Sequence, residues 1–196
     1  NGWHVFCDID IDEQNELLNI TIPQDFLDSA IYPITIDPTF GYTSAGGTQA
    51  IIYNTIHGNQ YTPPAVMQIT SMSAYMALGG AVNNVGLYGI YRNSSNALLA
   101  SSAATALTAT TDWFTIPITY NADLETDVIL AASANGTLGY GTNIYIYFDT
   151  NASYSYRGLS YTYTGTLPNP ITWGTSTTGR AYSIYATYTV PDRTIT

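Results

Sequence analysis

Three aspartates stand at alternate positions near the start of the chain. They are Asp8, Asp10 and Asp12, in the stretch CDIDIDEQNELLNITIP that runs from 7 to 23. On a β-strand, residues at i, i+2 and i+4 share one face. Three carboxylates in a row, with Glu13 and Glu16 close behind, are oxygen ligands of the kind Ca²⁺ takes in sets of six to eight. The spacing is not that of an EF-hand: no glycine stands at the sixth position from Asp8, and Glu16 comes too early. The same row also serves as a solvated acidic face that discourages unwanted strand pairing. A second acidic loop, NADLETD, offers Asp123, Glu125 and Asp127, with the same two readings.

Tyrosine is the other residue type that points to chemistry. The chain has 18 of them, many on alternating stretches. Tyr145, Tyr147, Tyr154 and Tyr156, with Trp173, are candidates for stacking against sugar rings, and Tyr161, Tyr163, Tyr185 and Trp113 extend the set. Aromatic platforms beside Asn and Asp suit neutral glycans. Tyrosine is also favoured in sheets and at protein interfaces with no ligand at all.

Catalysis finds little support. The chain has two histidines, His4 and His57, and one cysteine, Cys7. There is no G-x-S-x-G, no H-E-x-x-H and no P-loop. GTLGYG at 136–141 reads as a glycine-rich hairpin loop. Two acids distant in sequence can meet in space as a glycosidase pair, but the main part of the chain holds few. The expectation is a protein that is not an enzyme. Cys7 has no intramolecular partner and reads as a small buried apolar residue.

Composition narrows the partners. Charged residues are 9% of the chain, against about 25% in ordinary soluble domains. Solubility therefore rests on Ser, Thr, Asn, Gln and Tyr. There is no lysine, and the arginines are Arg92, Arg157, Arg180 and Arg193. The net charge of −10 argues against nucleic acid, whose phosphates need Lys and Arg to displace counterions, and against anionic membranes. Zero lysine rules out Lys–Asn isopeptide cross-links. Asn-x-Ser/Thr sequons occur at Asn19, Asn93, Asn135 and Asn151, candidate glycosylation sites of an extracellular chain. No apolar run approaches the length of a membrane-spanning helix. A start at Asn1 suggests a processed product or an excised piece.

The elements that must carry these residues are strands. NIYIYFD and AYSIYATYTV alternate, and VNNVGLYGIY, DWFTIPITY and DVILAASA read the same way. AVMQITSMSAYMAL is long enough to bend. Turn residues at GG (79–80), NSSN (93–96), NG (135–136) and LPNP (167–170) separate the runs. About eight to ten strands from residue 49 onward are expected, in an all-β, jelly-roll-like antiparallel β-sandwich. Charge divides the chain. Eight of the 14 carboxylates lie within residues 1–37. Residues 1–39 therefore read as an acidic N-terminal β arm and 40–47, FGYTSAGG, as a linker ending in glycines. The sandwich then spans 48–190, and 191–196 form a tail.

FLDSAIYPITIDPTFGYTSAG (26–46) resembles a segment of large secreted bacterial surface proteins. In them a YPxTIDPT stretch closes one β-rich region and leads into the next. Here it runs from Tyr32 to Thr39. The closing YSIYATYT (182–189) is similar to the last strand of a β-sandwich module in such proteins. The resemblance implies an extracellular, surface-associated β module and carries over no catalytic residue.

A lone two-stranded hairpin is marginally stable in water. The arm must therefore fold back on its own sandwich or donate strands to another subunit, as in donor-strand complementation. Head-to-tail donation does not close and yields a filament. The sequence thus supports a self-assembling extracellular structural subunit. The alternative is a lectin-like module of a larger surface or fibre protein.

Overall fold

The computed structural model describes residues 8–12, 17–29, 38–78, 84–108, 111–123, 126–135 and 143–190. The chain divides into two compact units, Asn1–Ile36 and Asp37–Thr196. In the first, strands β1 (Asp8–Asp12) and β2 (Leu17–Thr21) form the expected antiparallel hairpin. Its register sets Ile9 opposite Ile20 and Ile11 opposite Leu18, while Asp8, Asp10 and Asp12 face Thr21, Asn19 and Leu17. Opposed residues share a face and successive pairs alternate, so the sequence gives one side of the ribbon only apolar residues. A short helix α1 (Gln24–Ser29) follows, with Asp25 in its first turn and a Gln24–Asp28 side-chain hydrogen bond of 2.7 Å. Six residues are too few for a 3.6-residue period to show, and the helix was not legible in the pattern.

The second unit is an all-β antiparallel sandwich, as expected. Its strands are β3 (Thr39–Gly41), β4 (Thr48–Ile51), β5 (Thr55–Tyr61), β6 (Met67–Leu78), β7 (Val85–Arg92) and β8 (Leu98–Ser101). Then come β9 (Thr105–Ala106), β10 (Thr111–Ala122), β11 (Val128–Asn135), β12 (Ile144–Ser160), β13 (Thr175–Tyr182) and β14 (Ile184–Thr189). From β4 on, the described residues form eleven strands rather than eight to ten, the extra ones being short pieces such as β9. One layer has the order β10-β6-β14-β3, the other β12-β5-β11-β7-β8. The chain crosses between the layers repeatedly, which is the jelly-roll-like feature. The 17-residue β12 belongs to both: its first residues pair with β6 and β4, its last with β5 and β13. The pairings therefore form one continuous twelve-stranded sheet folded on itself.

The main core lies between the layers. Ile69, Met72 and Met76 of β6, Ile116 of β10 and Ile184 of β14 meet Tyr88 and Ile90 of β7, Leu130 of β11 and Ile146 of β12. A second core lies on the outer face of the β5-β11-β7 layer. Ile56, Leu87, Tyr91, Ile129 and Ala131 are covered there by Leu167 and Ile171 from the β12–β13 connection. That connection is tied down by hydrogen bonds from Ile171 N to Asn96 O (3.0 Å), from Leu98 N to Asn169 Oδ1 (3.0 Å) and from Tyr91 Oη to Pro168 O (3.2 Å). A Cβ on Gly89 would stand 2.4 Å from Leu167 Cδ1, so any larger residue there would push the Leu167 side chain aside. Two-sided burial explains why β11 reads VILAASA, a run rather than an alternation.

The stretch expected to be a linker is part of the sandwich. β3 pairs with β14, and Gly46 N donates to Ser183 Oγ at 2.9 Å. A Cβ on Gly46 would lie 2.4 Å from the Phe148 backbone. The glycine there permits close packing, not flexibility. The unit boundary falls at 36/37 rather than 39/40. Residues 30–37, with most of the YPxTIDPT segment, lie outside the described residues, as do Cys7, the loop at 136–141 and the tail. Among the described residues no helix is long and apolar enough to cross a membrane.

Candidate functional site: an aromatic row and an arginine cleft

On β6, β10 and β14 the inward residues fill the main core and the outward ones face away. Four outward rings make a continuous row. Tyr147 (β12) lies 4.9 Å from Tyr75 (β6), Tyr75 lies 5.4 Å from Trp113 (β10), and Trp113 lies 4.9 Å from Tyr185 (β14), centroid to centroid. Trp113 is the register partner of Tyr75, so the pair is a direct cross-strand contact. Gln49 Nε2 donates to Tyr147 Oη at 2.6 Å and anchors one end. All four rings are half-buried. Ser73, on the same outward face, is only 1% exposed and exchanges a 2.7 Å hydrogen bond with Thr115 Oγ1. Tyr147 was a candidate from sequence, and Trp113 and Tyr185 extended the set. Tyr75 escaped notice because its strand reads as a long apolar core run.

The other aromatic candidates scatter. Tyr145 accepts a hydrogen bond from Asn143 Nδ2 at 3.1 Å. Tyr154 packs edge-on against Tyr42 and Tyr61. Trp173 lies edge-on to Tyr91 at 5.5 Å as part of the second core's cover, so it does not join a platform with the tyrosines. Tyr156 goes to a separate cleft.

That cleft, of about 360 Å³, is lined by Arg180, His57, Tyr156, Tyr182, Thr55 and Ser160 among others. Two of its lining residues, Arg180 and Tyr182, are held by Asn59, which is fully buried. Asn59 Nδ2 donates to Arg180 O (2.7 Å) and Ser155 O (3.1 Å), and its Oδ1 accepts from Tyr182 N (2.7 Å). The Arg180 guanidinium carbon lies 4.6 Å from the Phe148 ring centroid and 5.2 Å from that of Tyr156. Arg180 Nη1 donates to Tyr182 Oη at 3.3 Å. His57 Nε2 lies 2.9 Å from Ile51 O, which accepts only from an N–H. In the neutral ring this leaves Nδ1 to accept from the Tyr182 hydroxyl at 3.1 Å. Burial, with Arg180 adding to it, holds the His57 imidazolium below the ordinary histidine value, although the Ile51 carbonyl opposes the shift. Neither His57 nor Arg180 was singled out in the sequence as a ligand-facing residue. Only Arg180's rarity, one of four cations, was a signal.

The acidic candidates behave differently. Asp127 gives both oxygens to the fold, accepting from Thr62 Oγ1 (2.7 Å) and Gln60 Nε2 (2.8 Å). Asp123 is exposed and Glu125 lies outside the described residues. Asp8, Asp10 and Asp12 share a strand, as expected. Among the described residues no three His, Cys, Asp or Glu side chains converge as a metal site. Asp149 accepts from Tyr42 Oη (2.6 Å) and Gly47 N (2.8 Å), and the phenol bond foremost holds its carboxyl below the usual range.

The sequons are spread over the molecule. Asn19 lies in β2. Asn93 is half-buried, and its Oδ1 accepts from Arg157 Nη2 at 2.9 Å. Asn135 ends β11. Asn151 sits at the bulge of β12, where its Oδ1 accepts from Ser153 N at 3.0 Å. In comparisons with known proteins, no family model and no curated protein matches this chain, so function has to be argued from these residues.

Proposed function

We propose that this chain is a non-catalytic, extracellular structural subunit that assembles by giving its N-terminal hairpin to the sandwich of a neighbouring copy. The observation that carries the reading is the hairpin's isolation as a pairing unit: β1 pairs with β2 alone among the described residues. It belongs to the unit Asn1–Ile36, and a two-stranded hairpin by itself is only marginally stable in water. Its apolar positions need cover. β10 runs twelve residues and pairs with no strand other than β6 among the described residues, which makes it the candidate receiving strand. Repeated head-to-tail, the contact makes a filament.

The test is sedimentation and negative-stain imaging of the whole chain beside a chain lacking residues 1–36. Long polymers from the first and a folded monomer from the second support the reading. Polymers from both overturn it, and so does a concentrated whole chain that stays monomeric.

The aromatic row favours a second reading, a module that binds neutral glycans on the outer face of the β6 layer. Stacking on Trp113 and its neighbours would supply the affinity. Binding to a neutral glycan array that disappears in Trp113→Ala supports it, and an array with no signal counts against it.

A further inference from the structure

We infer that the Arg180 cleft is a binding site for a sugar carboxylate, a single uronic acid residue of an acidic glycan. The argument begins with the guanidinium. Arginine has five N–H donors, and among the described residues Arg180 uses one, toward Tyr182 Oη at 3.3 Å. No carboxylate among the described residues pairs with it. Its strand partner is Thr150, and the adjacent Asp149 gives both oxygens to Tyr42 and Gly47.

The side chain is also held in place. Phe148 and Tyr156 flank the guanidinium by cation–π contact, and Asn59 fixes the backbone on both sides of residue 181. A positioned fork suits the two oxygens of a carboxylate. With burial favouring the neutral His57 ring, Nδ1 accepts a hydrogen bond from the Tyr182 hydroxyl, and the cleft then offers one positive charge and suits a monoanion better than a phosphate dianion. The volume, about 360 Å³, falls at the small end of ligand clefts and admits one ring-sized group. Tyr156 supplies an aromatic wall, and Thr55 and Ser160 line the same cleft, with Ser160 exposed and the Thr55 hydroxyl donating to Ile51 O at 3.0 Å. Carboxylate, ring face and hydroxyls together describe a uronate. The inference is independent of the assembly reading and of the aromatic row.

The experiment titrates the whole chain with trigalacturonate, neutral galactotriose, acetate and inorganic phosphate, read by calorimetry and by NMR shifts. Trigalacturonate should bind at the cleft at least about tenfold more tightly than the other three, the scale of one charge-assisted hydrogen-bond pair. Arg180→Gln should lose that margin while keeping a folded NMR spectrum, Arg180→Lys should lose part of it, and Trp113→Ala should keep it. Equal binding of galactotriose overturns the proposal, as does full affinity in Arg180→Gln. Phosphate or acetate binding as tight as the sugar also overturns it, since the cleft is then a plain anion hole. If Arg180→Gln does not fold, Ser160→Tyr fills the cleft from its exposed rim and leaves the arginine in place. It should abolish binding, and retained binding overturns the inference.

Discussion

The two layers of the sandwich share one core and differ in what lies on their outer faces. The outer face of the β5-β11-β7 layer is roofed by the β12–β13 connection and becomes a second core. The outer face of the β6-β10-β14 layer has no such roof among the described residues and carries the half-buried row Tyr147, Tyr75, Trp113 and Tyr185. The sequences of the strands record the difference. β11 is buried along VILAASA, whereas β10 alternates exposed and buried through WFTIPIT. An apolar run marks burial on two sides and an alternation marks burial on one. A large ring at an outward position of an alternating strand is therefore a surface feature, available to a partner.

The sharpest way to break this contrast is from the shared core. Leu130→Ala removes a fully buried side chain between the layers and should cost about 2–5 kcal/mol in urea denaturation. Leu167→Ala, in the roof, should cost less, nearer about 2 kcal/mol, because a surface connection collapses into the space more readily than a strand does. If the roof mutant proves as costly as the core mutant, the second core is as integral as the first. Trp113→Ala should cost only about 0.5–1.5 kcal/mol, the worth of ring contacts beyond their area. A larger loss would mean the row is a third core rather than an open surface.

The smallest effect is a pH slope. The folded His57 value lies below its unfolded value of about 6.5, so the unfolded chain takes up the proton first. Its contribution to stability is complete above pH 6.5 and declines as pH falls toward the folded value. His57→Gln should flatten that part of the stability curve and leave the neutral-pH side alone. A slope unchanged in the variant would mean that other groups produce it.

Much of the architecture was legible in residues. CDIDIDEQNELLNITI announced its hairpin by two alternating arms around a polar turn, and the register bears it out. The sandwich followed from alternation and turn chemistry. Other features depend on what distant segments do. Gly46 looks like a hinge in FGYTSAGG, yet its missing side chain admits the Phe148 backbone from a strand a hundred residues away. LPNP falls in the irregular connection between β12 and β13, as a break between strands, but says nothing of the face that the connection covers. The site was less legible still. Tyr75 meets Trp113 only because β10 returns beside β6, and Arg180 meets His57 and Tyr182 only because β5 and β13 flank β12. Residue type nominates such groups, and pairing across long sequence distances assembles them.

Strand β12 has a mechanical consequence. A sandwich of two separate sheets can be pulled apart by parting its side chains, one weak contact after another. Here the layers share a strand, so a force that separates them must also draw β12 past β5 or β6 and load a row of backbone hydrogen bonds together. Should this chain bear tension between neighbours, that seamless strand is where the load passes from one face of the molecule to the other.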